Sequence, residues 1–279
     1  MAKRTGIFFL PTAGQRLRDF PGALGSLLSQ PNVSYYEAYY EIDPTPRELL
    51  LKVHSERMID EVRRDSVYEA ALYSTGGTVM ASELIRRREI DNAFVFTGTG
   101  DHHAGRDYFG GGCHLNGAAL AIQNLRDRFG MRRFAILDTD SHHGDGTRDI
   151  FACDDDVLHV CLCDCSTDSG TNVDIKVPFR TTDDLYLQQL ETEFVPRVEA
   201  FVPEMVLWEF GYDTTRGDYG DRGLSPDCHA RMASIVKGVA DRVCGRRLVT
   251  ILCGGSRRDI AAYCIPEIIR RMAEVNEEV

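Results

Sequence analysis

The chain has 279 residues, 43% of them apolar, with a formal net charge of −11. That length allows a sizeable buried core and is read as one domain over residues 1–279. The acidic balance excludes direct binding to a phosphate backbone, which clustered Lys and Arg would hold, and suits neutral or cationic substrates. The opening "MAKRTGIFFLPTAG" has too short an apolar run for a signal peptide, and no later run approaches the ~20 residues of a membrane helix. A cytoplasmic protein without membrane contact is expected, with an oligomer left open. The nine cysteines are read as reduced and mostly buried thiols.

In chain order, the apolar spacing of "PRELLLKVHSERMIDEVRR" predicts a helix over 46–64. Then come a strand at 93–96, a helix over 116–130, strands at 133–138 and 157–162, a helix over 184–202, a strand at 205–210, a helix over 225–245 and a strand at 247–252. Strands alternating with amphipathic helices predict an α/β fold, an open and mainly parallel sheet with helices on both faces. "CLCDC" would put Cys161, Cys163 and Cys165 on one face of a strand. A buried strand running into a loop is preferred there to a second metal site.

Half of the eight histidines fall in two adjacent pairs, in "TGDHHAGRDYFGGGCHLN" and "LDTDSHHGDGT". Both pairs follow strands, as do "GYDTTRGD" and "CGGSRR", and ligands of open parallel sheets bind beyond the carboxyl ends of the strands. Asp140 and His142, two apart at a strand end, can share one cation. Asp213 or Asp218 would complete a set open to water. A water attacking a carbonyl needs a base, which His102 or His103 supplies, and Asp138 and Asp145 are available to orient the imidazoles.

These two motifs, with "LLLKVHSERMIDEV", "EFGYDTTRGD", "GLSPDCHARM" and "TILCGG", resemble the histone deacetylase family, over roughly residues 46–260. The resemblance implies a zinc-dependent amidohydrolase acting on an acyl amide of a small molecule or other acylated amine. It implies one zinc held by Asp140, His142 and Asp218, and a catalytic pair His102 and His103, with Asp138 behind the first and Asp145 behind the second. His103 is then the general base, and His102 holds positive charge near the oxyanion. It further implies a structural potassium ion at the backbone of Asp138, Asp140 and His142, with Cys161 where a serine is common.

The chain departs from the family in ways that shape the substrate. Arg257 stands where a tyrosine normally helps stabilise the oxyanion; it serves catalysis or grips a substrate carboxylate, or else points to solvent with ordinary deacetylation weakened. Gly112 replaces an aromatic wall of the acyl-lysine tunnel, and 163–176 is a short loop where a longer one carries the opposite wall. Acetylated lysine or polyamine is what the resemblance implies by default, while Gly112 and Arg257 favour a bulkier or carboxylate-bearing substrate. The alternative reading is a zinc-containing acyl-group binder with little or no catalysis. Arg16 and Arg18 are read as surface residues.

Overall fold

Alternate residues of the buried strands feed two separate cores. The computed structural model describes residues 4–11, 17 and 20–275, so Arg16 and Arg18 lie outside the described residues. Among these, nine strands form one sheet: β1 (Thr5–Phe9), β2 (Val33–Glu37), β3 (Asn92–Phe96), β4 (Phe134–Asp138), β5 (Val157–Cys163), β6 (Thr167–Ser169), β7 (Asn172–Lys176), β8 (Met205–Phe210) and β9 (Leu248–Leu252). Their order is β2-β1-β3-β9-β8-β4-β5-β7-β6, parallel throughout except for β6 on β7. In β4, Ala135 and Leu137 face one core, Phe134 and Ile136 the other. Residues buried on both sides are why these strands read as unbroken apolar runs.

The α-helices of seven residues or more among the described residues are α1 (Arg47–Val53), α2 (Glu56–Val62), α3 (Tyr68–Arg86), α4 (Gly117–Phe129), α5 (Asp145–Phe151), α6 (Asp183–Gln189), α7 (Val195–Phe201), α8 (Pro226–Cys244) and α9 (Arg258–Ala273). Helices α6 to α9 cover one face, and α1, α3 and α4 the other. None is long and apolar enough to cross a membrane.

The helix expected over 46–64 is two. Ser55 caps α2 by accepting the Met58 N–H, and the preceding His54 turns into the protein. In 184–202, Pro196 has no N–H to continue regular bonding, and the turn Leu190–Phe194 widens to π-helix. Segment 163–176 is a β6–β7 hairpin rather than a loop. Strand β5 ends at Cys163, so Cys161 and Cys163 share a face while Cys165 lies beyond it.

Candidate active site

The strands β3, β9, β8 and β4 are consecutive neighbours, so the loops after them converge on one edge of the sheet. They line a cleft of about 440 Å³ whose walls include His102, His103, Asp140, His142, Tyr219 and Gly254. Gly254 is required by this convergence: a Cβ there would overlap Asp140 Oδ2 and come within 2.9 Å of Tyr219 Oη.

The loop after β3 is held from beneath by His54. Its Nε2 accepts the Asn116 N–H at 3.1 Å, so the proton is on Nδ1, which donates to the Gly105 carbonyl at 2.8 Å. On that loop, His102 Nδ1 meets Asp138 Oδ2 at 2.8 Å and His103 Nδ1 meets Asp145 Oδ1 at 2.5 Å. The two imidazoles differ electrostatically. Burial works against charge on His102, but Asp138, Asp140 and the Asp138 hydrogen bond outweigh it and hold the pKa well above the usual value. His103 is lowered by burial and by the charge on His102, against the pull of Asp145. Its carboxylate partner only accepts, so neutral His103 keeps its proton on Nδ1 and offers a lone pair at Nε2.

Beside the pair, donor atoms of Asp140, His142 and Asp213 lie within 4.8 Å of one another. His142 Nδ1 is 3.1 Å from Asp140 Oδ1 and 3.2 Å from Asp213 Oδ2. Asp140 Oδ2 is buried without a hydrogen-bond donor, and Asp213 Oδ2, buried beside it, has His142 Nδ1 as its one near donor. Hydrogen bonds to Asp140 and Asp213 pull His142 up to about 10, and burial with the charge of Asp140 pushes Asp213 up to about 7. Two buried carboxylates competing for one proton, with Asp140 Oδ2 unpartnered, fit a divalent cation on one nitrogen and two carboxylates.

Asp218, the expected third ligand, is not part of this group. Its carboxylate accepts from Ser256 N at 3.0 Å, Ser256 Oγ at 2.6 Å, Arg257 N at 2.9 Å and Tyr219 N at 2.7 Å. Burial opposes its charge, but these donors outweigh burial and hold its pKa below the usual range. Asp218 therefore fastens the turn after β9, and Asp213, two residues beyond the strand β8 and its Gly211, takes the place beside His142. Of the two readings of Arg257, the side chain follows the solvent-facing one. Its Nε donates to Asp259 Oδ1 at 3.0 Å and its Nη2 pairs with Asp259 Oδ2, leaving the guanidinium half-exposed and outside the cleft.

No motif points to Tyr219, yet it stacks on His142 with ring centroids 5.5 Å apart. Its Oη accepts the Gly255 N–H at 3.2 Å, beside Asp140. The one sequence signal was an aromatic residue inside the glycine- and aspartate-rich strand-end loop, "GDYGD". At Gly112, φ is +83° and a Cβ would meet nothing within 4 Å, so the missing aromatic leaves the cleft open on that side.

A profile of the Histone deacetylase domain matches residues 62–272. The "Probable deacetylase" of Archaeoglobus fulgidus is 30% identical over 239 residues, 75% of this chain and 66% of that protein. The "Histone deacetylase-like amidohydrolase" of Pseudomonas aeruginosa is 30% identical over 228 residues, 76% of this chain and 60% of that protein. The chain thus spans no more than about two-thirds of the length of either relative. Among solved structures, the "HDA15 HD domain" superposes with a TM-score of 0.85 at 21% identity, covering 100% of this chain and 92% of that one, and shares its fold. By the extent of the profile match, the chain belongs to the histone deacetylase family.

Proposed function

We propose that the chain is a zinc-dependent amidohydrolase that cleaves the acyl amide of a small acylated amine. The observation that carries this is the meeting of two imidazole–carboxylate pairs with the Asp140, His142 and Asp213 group, with His102, His103, Asp140 and His142 lining one cleft. Asp140, His142 and Asp213 would hold the ion. Bound there, zinc supplies Lewis acidity toward the amide carbonyl and toward water.

The protein's own groups handle the protons. His103 Nε2 takes a proton from the attacking water as the water oxygen bonds to the acyl carbon. The C–N bond then breaks, and His103 returns that proton to the departing amine. Asp145 keeps the imidazole in the tautomer this requires. His102, charged and backed by Asp138, and the Tyr219 hydroxyl are donors for the oxygen that gains negative charge. Tyr219 takes the part expected of Arg257.

Because Arg257 is neutralised by Asp259, the carboxylate-bearing substrate it suggested loses its support. The net charge of −11 and the acidic floor favour an amine whose remaining chain is neutral or cationic. The test is to load the protein with zinc, offer acylated polyamines, acyl-lysine peptides and N-acyl amino acids, and measure released carboxylic acid. Turnover of the first class above the third is expected. Binding without release from any of them would favour the acyl-group binder instead.

A further inference from the structure

A second cluster of metal-binding side chains lies one residue along from the first, and the hydrolytic chemistry does not use it. Cys161 and Cys163 share a face of β5, and Asp174 on β7 is the register partner of Cys161. His143 follows His142 in the loop after β4. One donor atom each from His143, Cys161, Cys163 and Asp174 lies within 4.8 Å of all the others. His143 Nδ1 is 3.4 Å from Cys163 Sγ and 3.4 Å from Asp174 Oδ1. With Zn–S about 2.3 Å and Zn–N or Zn–O about 2.0–2.1 Å, the donors of a tetrahedral site stand about 3.4–3.8 Å apart. The two measured edges match that tetrahedron. Both thiols and Asp174 are buried, and His143 reaches a second cleft shared with Asp145, Asp164 and Phe179, through which an ion can enter.

We propose that His143, Cys161, Cys163 and Asp174 hold a second, structural zinc ion. The site is closed, with four protein ligands, and two soft sulfurs with one imidazole favour zinc over calcium, magnesium or potassium. Charge closes as well. Once both thiols release their protons to solvent, two thiolates and the Asp174 carboxylate are balanced by zinc and by Arg148, which ion-pairs with Asp174. Arg148 also donates to Asn172 Oδ1 at 2.7 Å and to the Val173 carbonyl at 3.1 Å, fixing the carboxylate in place. The ion would pin the loop that carries His142 and Asp145 to β5 and β7.

The test is metal content of the zinc-refilled, desalted protein, with cobalt substitution as a second readout. Two zinc ions per chain are expected, falling to one in Asp213→Ala and to one in the Cys161→Ser/Cys163→Ser double variant. Cobalt should give near-ultraviolet sulfur-to-cobalt absorption that Asp213→Ala retains and the double variant loses. Should the double variant not fold, the parent and Asp213→Ala spectra decide. Absence of sulfur-to-cobalt absorption in the parent, with no more than one zinc per chain, overturns the second site whether or not the protein hydrolyses amides.

Discussion

The loops after β3 and β4 carry the same dipeptide, His-His, and differ in what stands behind each ring. In the first loop each imidazole meets one principal carboxylate through Nδ1, Asp138 for His102 and Asp145 for His103. A single proton settles such a pair, and the far nitrogen is left for chemistry. In the second loop each imidazole faces several anionic or thiol groups: Asp140 and Asp213 around His142, and Cys163, Cys161 and Asp174 around His143. One proton cannot settle those. In the proposed function, the number of acids per imidazole, rather than the dipeptide, separates the proton relay from the cation sites.

The largest effect should come from removing an acid of the second loop's partners. Asp213→Ala is expected to lose the active-site zinc and bring hydrolysis to background, while Asp218→Ala keeps that zinc. Metal analysis of the two variants side by side would invert the ligand assignment if the losses were exchanged. In the first loop, His103→Ala should lower kcat by about 10²- to 10⁴-fold, and Tyr219→Phe by about 10²- to 10³-fold with KM little changed. Both should hold their metal, and loss of zinc from His103→Ala would erase the distinction between the loops.

A smaller effect concerns two of the buried histidines that serve neither purpose. Burial, aided by the charge of Arg106, holds His54 near 4 against its Gly105 hydrogen bond, and burial also lowers His229 to about 4. Each stays neutral in the fold but takes a proton near pH 6.5 once unfolded. The unfolded state therefore binds more protons between pH 6.5 and 4, and stability falls as pH drops through that window, by about 3 kcal/mol per histidine at its lower end. Urea midpoints at pH 7 and pH 5 should show the fall, and His229→Gln should reduce it. Smallest of all, Arg257→Ala breaks an exposed ion pair and should change kcat/KM by less than about threefold; a hundredfold loss would return Arg257 to the site.

Much of this was legible because strand ends are. The apolar runs at 93–96, 133–138, 205–210 and 247–252 fell within a residue of β3, β4, β8 and β9, and their polar loops met as expected. Spacing left Asp213 and Asp218 open, since both sit in one loop; the donors from Ser256, Arg257 and Tyr219 to Asp218 are what favour Asp213 in the proposed ion site. The sequence left Arg257 open between the cleft and solvent, since its pairing with Asp259, two residues further on, is not visible in the motif. Helix α3 was missed because buried Ser74, Thr75 and Thr78 interrupt its apolar stripe.

The β6–β7 hairpin has a consequence for solubility. An open sheet exposes unpaired backbone along its outer strands, which invites another molecule to extend it. On this side the sheet ends in β6, three exposed residues, Thr167, Asp168 and Ser169, too short to template a partner strand. Asp168 also carries charge to that rim, where Arg197 meets it at 3.0 Å. An Asp168→Val substitution would lengthen the β-branched, uncharged rim from Thr167 and should make the protein more prone to self-association on concentration, with its hydrolytic centre untouched.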